Sequence, residues 1–170
     1  MSALWSNLTT PRPRLQDGGV FVFQEDFFVI VIQCVDNRNG TLFHGRRQSR
    51  DRLLRLHILA ALAGRKLWMN SYSFRQFQQD LPPGQAVCVD EDFLAKAGWG
   101  EVCFVEGLPL TPWLNRIEQL ILYRWNRDYP ADTVLDLRLD AISWVLKCRE
   151  EFPGSSHPVI TKEVYLHETL

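Results

Sequence analysis

The sequence predicts a single α+β domain in which a mixed or antiparallel sheet of about six to eight strands packs against one main buried helix and several short helices. The chain has 170 residues, which is enough for one core. Its composition, 46% apolar and 23% charged, is that of an ordinary globular protein. Short β-branched and aromatic runs alternate irregularly with short helical segments, which favours α+β over a regular βαβ array.

The first third of the chain predicts an irregular arm followed by strands. Residues 1–19 contain proline and glycine breakers and no sustained period, so we expect an N-terminal arm and a domain over residues 20–170. Residues 20–24 and 27–34 are separated by a polar pair and predict a hairpin. The second run is apolar without alternation, as in a central strand. Residues 36–40 predict a turn, and 41–44 a short returning strand.

Residues 49–63 predict the main helix. Ser49 is the expected N-cap, and Gly64 is the expected residue just beyond the C-terminus. The second half of this segment is apolar nearly all round, which indicates burial.

The remaining elements are shorter. Proline in a first turn, with Ile160 and Val164 spaced by four, predicts that the chain ends in a helix from Pro158 onward. Before it, we expect short helices over residues 73–79 and 91–97 and strands over residues 66–70, 87–89, 101–106, 117–125, 134–139 and 142–148.

Composition also limits the function. With 19 basic and 20 acidic residues, the chain is not a broadly basic, nonspecific binder of nucleic acid. It lacks a secretory signal at its start, and its longest apolar run is far shorter than a membrane helix, so we expect a cytoplasmic protein. No glycine-rich phosphate loop and no close His/Cys cluster is present, so we expect no cofactor and no metal.

The first candidate site is a basic segment. Residues 44–66 hold seven basic side chains and one acidic one, although the whole chain has a net charge of −1. Arginines near a helix N-terminus are mildly unfavourable unless an anion lies among them. We therefore expect Arg46, Arg47 and Arg50 to bind phosphate; the alternative is a solvated arginine face paired with acidic loops.

The second candidate site lies in residues 123–132, where aromatic rings alternate with arginines. Bases stack on aromatic rings and guanidinium groups hold phosphate, so this pattern suits RNA or a nucleotide. It suits a protein interface as well, and a purely structural role remains open. The candidate binding residues are Tyr123, Arg124, Asn126, Arg127 and Tyr129.

The third candidate site precedes the predicted final helix. Ser155 and Ser156 place hydroxyl groups beside the free N–H groups of a first helical turn, as in an anion site. His157 is the candidate general acid or base, and Lys162 the candidate cation for the developing charge. The alternative is that a serine only caps the helix.

Three stretches, residues 122–132, 151–157 and 160–165, resemble small bacterial cytoplasmic proteins that are loosely labelled ribonuclease Z. The chain has only four histidines and lacks the metal-binding histidine cluster of true ribonuclease Z. The resemblance therefore implies a metal-independent ribonuclease.

These features lead to three function hypotheses. The first is a protein that binds RNA or another phosphate-containing ligand, including a metal-independent ribonuclease. The second is a non-catalytic protein-interaction factor such as a bacterial immunity or inhibitor protein, which needs only exposed aromatic and arginine anchors. The third is a thiol enzyme that uses one of the four cysteines.

Overall fold

The computed structural model describes residues 14–15, 21–22 and 28–168. Its strands are β1 Arg14–Leu15, β2 Phe21–Val22, β3 Val29–Val35, β4 Gly40–Phe43, β5 Arg46–Arg47, β6 Leu67–Met69, β7 Val87–Val89, β8 Val102–Phe104, β9 Ile117–Arg124, β10 Thr133–Val134, β11 Trp144–Phe152 and β12 Ile160–His167. Its helices are α1 Arg52–Ala61, α2 Ser71–Phe77, α3 Phe93–Lys96 and a 3₁₀ helix, Thr111–Arg116.

A seven-stranded mixed sheet forms the centre of the molecule and confirms the predicted α+β class. Its strand order is β11-β12-β9-β3-β8-β6-β7, parallel from β9 to β7 and antiparallel at β11 and β12. β3 is buried along almost its whole length because strands flank it on both sides and helices cover both faces. A smaller antiparallel sheet, β10-β4-β5, lies beside the end of β3.

The helices divide between the two faces of the sheet. Leu54 and Ile58 of α1 and Phe77 of α2 pack on one face, with Ile30 and Ile32 of β3. On the other face, α3 and the 3₁₀ helix pack against the remaining side chains of the same strands. β3 and β6 therefore continue into helices on the first face, whereas β8, which lies between them, continues into the 3₁₀ helix on the second. Chains that leave in opposite directions open a crevice at the carboxyl ends of the strands, where α/β sheets commonly bind ligands.

The end of the chain differs from the prediction. Residues 160–167 form strand β12, which pairs antiparallel with both β9 and β11. A spacing of four places Ile160 and Val164 on the same side of a strand as well as of a helix, so the spacing does not separate the two. The predicted helix from Pro158 is therefore wrong, and Ser155, Ser156 and His157 lie in the turn of a β-hairpin.

Other elements differ in detail. The hairpin predicted between residues 20–24 and 27–34 does not form, because β2 pairs with β1, and β3 has β8 and β9 as its neighbours; residues 23–27 lie outside the described residues. Helix α1 begins at Arg52, with Asp51 and not Ser49 as its N-cap. No helix in the described part of the chain is long and apolar enough to cross a membrane.

The packing of α2 on the sheet predicts a large effect of truncating Phe77. This ring is fully buried and meets the Phe104 ring edge-on, with 4.9 Å between centroids. Phe77→Ala is expected to lower the free energy of unfolding by about 3–5 kcal/mol because it leaves a cavity. Leu53→Ala, at a 41% exposed position of α1, is the control and is expected to cost less than about 1 kcal/mol. Urea denaturation measures both, and equal effects would contradict this account of the core.

Candidate functional site

A surface pocket lies between the β4–β5 hairpin and the loop that follows β9. Its volume is about 430 Å³, within the range of small-molecule sites. Residues of the first candidate site, Arg46 and Arg47, and of the second, Tyr129, line it. Its lining residues are Phe43, His44, Arg46, Arg47, Gln48, Tyr129 and Pro130.

The buried carboxylate of Asp36 holds two walls of this pocket together. It accepts hydrogen bonds from the backbone N–H of Gly40 (2.8 Å) and Tyr129 (3.2 Å) and from the Gln48 side chain (3.1 Å). Burial alone would raise the pKa of Asp36, but the backbone N–H donors outweigh it and lower the pKa below its usual value. Asp36 is therefore an ionised acceptor that fixes Gln48 and Tyr129.

Gln48 carries an acceptor without a partner. Since its amide nitrogen donates to Asp36, its other terminal atom is the carbonyl oxygen Oε1. This oxygen is buried and has no hydrogen-bond partner among the described residues. A buried acceptor without a donor costs about 1–3 kcal/mol, which a ligand donor would offset.

The two arginines of β5 differ in their environments. Arg47 binds Glu106 through two hydrogen bonds (2.9 and 3.1 Å), and its guanidinium lies 4.1 Å from the centre of the Tyr72 ring. Arg46 is exposed and has no ion pair within the described residues. His44 lies at 4.0 Å from Asp132. Among the described residues that line the pocket, Arg46 is therefore the cation that is available to an anion.

The crevice at the carboxyl end of β8 is filled by side chains. Glu106 lies two residues beyond the end of β8 and, besides those from Arg47, accepts hydrogen bonds from Ser73 (2.8 Å) and Gln76 (3.2 Å). The side chain of Leu42 occupies the space that a Cβ at residue 107 would take, so this position is restricted to glycine. The switch point between β3, β8 and β6 thus contains a buried ion pair.

Two further backbone donor sites at this edge hold the chain's own carboxylates. The N–H groups of Leu110 and Thr111, where the 3₁₀ helix begins, donate to Asp136 at 2.8–3.0 Å. The N–H of Ser71, the first residue of α2, donates to Glu91 at 3.0 Å. Free N–H groups at helix N-termini attract anions, and here those anions belong to the protein.

The largest such cluster surrounds Asp51. Its carboxylate accepts hydrogen bonds from the backbone N–H of Ser155 (2.9 Å), Ser156 (2.8 Å) and Leu54 (3.1 Å), and from the Ser155 hydroxyl (3.0 Å). Burial alone would raise the pKa of Asp51, but these donors and His157 lower it far below the ordinary value. The anion at Ser155 and Ser156 is thus an internal carboxylate.

His157 connects this cluster to the pocket. Its Nδ1 lies 3.2 Å from Oδ2 of Asp51, and its Nε2 lies 2.9 Å from the hydroxyl of Tyr129. The imidazole is only 3% exposed and stacks on Trp125 at 4.7 Å between centroids. Asp51, His157 and Tyr129 therefore form a continuous hydrogen-bonded row that ends at the pocket wall.

The other predicted site residues lie outside the pocket lining. Tyr123 is a core residue whose hydroxyl contacts His57, and Lys162 is buried beside Glu150. Arg124 pairs with Glu163 at 2.8 Å. The other three candidates are Arg50, Asn126 and Arg127. The carbonyl of Arg50 accepts a hydrogen bond from the Ser156 hydroxyl, and the carbonyl of Arg127 accepts one from the N–H of Asn37. The side-chain amide of Asn126 donates to the carbonyl of Val159.

The described residues support neither a metal centre nor a reactive thiol at Cys103. No group of three metal-ligating side chains occurs among residues 28–168. All four cysteines are free, and burial raises the pKa of Cys103 to about 12. A thiol with such a pKa is a poor nucleophile at neutral pH.

Comparison with known proteins identifies the fold. No family model matches this chain, and no curated protein matches it. Among solved structures it is similar to a dihydrofolate reductase from Enterococcus faecalis complexed with NADP(H) and RAB-propyl, with a TM-score of 0.56 over 85% of this chain and 98% of that chain. The chain has the dihydrofolate reductase fold. At 13% sequence identity, the likeness establishes the fold alone.

This similarity corrects the predicted family and function. The resemblance to ribonuclease Z-labelled proteins is wrong, and so are the RNA-binding and ribonuclease predictions, because the chain has the dihydrofolate reductase fold. The protein-interaction alternative receives no support from it either. The basic segment is also less available than its sequence indicates, since Arg52 and Arg55 both pair with Asp80 and Arg47 with Glu106.

The hydrogen bonds to Asp51 predict an acid-dependent contribution to stability. Because its pKa is lower in the folded protein than the ordinary value of 3.8, the contribution is complete above about pH 4 and is lost as the pH falls further. Asp51→Asn is expected to lower the free energy of unfolding by at least about 2 kcal/mol at pH 7. It should also flatten the decline below pH 4. Urea denaturation across this range measures both, and parallel pH profiles for the two proteins would refute the assignment.

Proposed function

We propose that the protein binds a small planar heteroaromatic acid, of the chemical class of dihydrofolate, in the pocket beside the β4–β5 hairpin. Two observations carry this proposal: Gln48 and Arg46 both line the pocket, and among the described residues the Gln48 side-chain oxygen has no hydrogen-bond partner and Arg46 has no ion pair. A ligand that satisfies both must present an N–H donor and an anionic group. Phe43 and Tyr129 add aromatic surface for a planar ring.

The pocket is largely preorganised for such a ligand. Asp36 holds the Gln48 amide in one orientation, so that Oε1 is an acceptor before any ligand arrives. Tyr129 is fixed at its backbone by Asp36 and at its hydroxyl by His157. Binding then orders little beyond the exposed Phe43 and Arg46 side chains, which limits the entropy cost.

NADP(H), which the similar reductase contains, does not fit the described crevice. Its phosphate groups would need free backbone donors or cations at the carboxyl edge. The donors at Leu110 and Ser71 already hold Asp136 and Glu91, and Arg47 already holds Glu106. Each of these carboxylates would also repel a phosphate. No step of the proposed function passes through this cofactor.

We also infer that the protein is cytoplasmic. Its four cysteines are free thiols, which a reducing compartment maintains.

Substituting Arg46 tests the binding proposal. Arg46→Gln is expected to raise the Kd for folate by about fivefold, since an exposed charge pair is worth about 1 kcal/mol. Arg50→Gln is the matched control, because Arg50 is an exposed arginine outside the pocket lining, and its Kd should stay at the wild-type value. Calorimetric titration with folate measures all three proteins. Absence of saturable binding to the wild type, or equal Kd values for both variants, would refute the proposal.

The internal carboxylates predict weak or absent binding of NADPH. Titration of the wild-type protein should give no saturable change in the fluorescence of NADPH. The physical reason is that anion-attracting groups at the edge already have carboxylate partners. Saturable NADPH binding, abolished by Arg47→Gln, would show that the Arg47–Glu106 pair opens to accept phosphate.

A further inference from the structure

We propose that Asp51, His157 and Tyr129 form a proton relay that makes Tyr129 a proton-accepting residue for a ligand in the pocket. The inference rests on the proposed ligand pocket and assigns chemistry to it. Tyr129 is the member that lines the pocket, and His157 and Asp51 act through it as positioning residues.

The direction of the relay follows from the state of Asp51. An ionised carboxylate is only an acceptor, and this one is held ionised by the N–H groups of Ser155, Ser156 and Leu54. In the neutral form of His157 the ring hydrogen lies on Nδ1, which faces Asp51 at 3.2 Å and the Ser156 oxygen at 3.1 Å, because the Ser156 hydrogen is donated to the carbonyl of Arg50. Its Nε2 is then an acceptor.

The hydroxyl of Tyr129 consequently donates its hydrogen to Nε2 of His157 across 2.9 Å. A phenolic oxygen whose hydrogen is committed in this way presents lone pairs to its surroundings. Because Tyr129 lines the pocket, a ligand O–H or N–H group can donate to that oxygen.

In the proposed proton transfer the ligand X–H bond breaks, its electron pair stays on X, and the proton forms a new O–H bond on Tyr129. At the same time the original phenolic hydrogen moves to Nε2 of His157. The products are a ligand anion and an imidazolium, so the net charge of the site is unchanged.

The proposed step leaves a positive charge on His157, next to two groups that attract a cation. The imidazolium lies beside the Asp51 carboxylate at 3.2 Å and over the face of Trp125, and both interactions stabilise a cation. Burial of the ring at 3% exposure keeps water from competing for the proton. The ligand anion stays in the pocket with Arg46, whose positive charge opposes its reprotonation.

A chromogenic phenol tests the relay without knowledge of the natural ligand. The probe is 4-nitrophenol, a single ring small enough for the pocket, whose phenolate absorbs visible light and whose neutral form does not. At a pH below its pKa in water, the wild-type protein is expected to produce the phenolate band on saturation. Equilibrium dialysis of the same samples measures the amount bound.

Two variants remove the relay and preserve the pocket. Tyr129→Phe retains the ring and lacks the oxygen, and His157→Gln retains an acceptor that cannot take up a proton. Both are expected to lose most of the phenolate band per molecule of probe bound, with the bound amount taken from the dialysis of the same samples. Tyr165→Phe, whose hydroxyl donates to Glu163, is the matched control and should keep the band.

The outcomes separate the relay from the pocket. Binding with an undiminished phenolate band in Tyr129→Phe overturns the relay and leaves the pocket intact. If the wild type binds neither 4-nitrophenol nor folate, the proposed pocket is overturned, and the relay with it. Nitrogen NMR of His157 supplies a ligand-free readout: the Nδ1–H tautomer supports the relay, and the Nε2–H tautomer overturns it.

Discussion

The buried carboxylate of Asp51 is the constraint on which the candidate site depends. It caps the first turn of α1 and at the same time holds the β11–β12 turn through the backbone of Ser155 and Ser156. These two segments are separated by about one hundred residues in the chain, so a single side chain joins the main helix to the last hairpin. Through His157 the same carboxylate fixes the hydroxyl of Tyr129. The N-cap residue of α1 therefore fixes the position of Tyr129 in the pocket wall.

Internal carboxylates hold donors at several points in the described part of the chain. Asp36 gathers donors at the turn after β3, Glu106 pairs with Arg47 after β8, and Asp136 caps the 3₁₀ helix. Each satisfies N–H or guanidinium groups that would otherwise attract an external anion. The donors described at the carboxyl edge of the sheet, at Leu110, Ser71 and Arg47, therefore already have carboxylate partners. We therefore place the proposed ligand beside the crevice, at Arg46 and Gln48.

The sequence predicts the class of the fold and much of its local structure, because hydrophobic period and breakers are local signals. β3, α1 and β9 are recognisable in this way, whereas the final strand is not, since Ile160 and Val164 suit either period. Parallel pairing of β3 with β8 and β9 joins distant segments and leaves no local signal.

In the candidate site, too, some residues can be predicted from local sequence and others cannot. The basic and aromatic composition points to Arg46 and Tyr129, both of which line the pocket. Asp36 and Gln48 have no recognisable motif, since their role arises only when β4, β5 and the loop after β9 meet. The carboxylates that neutralise the remaining arginines lie as many as 59 residues away in sequence, as with Arg47 and Glu106.

Mapping backbone amide shifts by NMR, with folate and NADPH added separately to the full chain, tests the central claim most directly. The claim is that the ligand site lies beside the filled crevice and not in it. The account predicts that folate shifts the amides of residues 43–48 and 129, and that NADPH leaves residues 70–72 and 105–111 unchanged. Saturable shifts of residues 70–72 and 105–111 with NADPH, and none at residues 43–48 with folate, would contradict it.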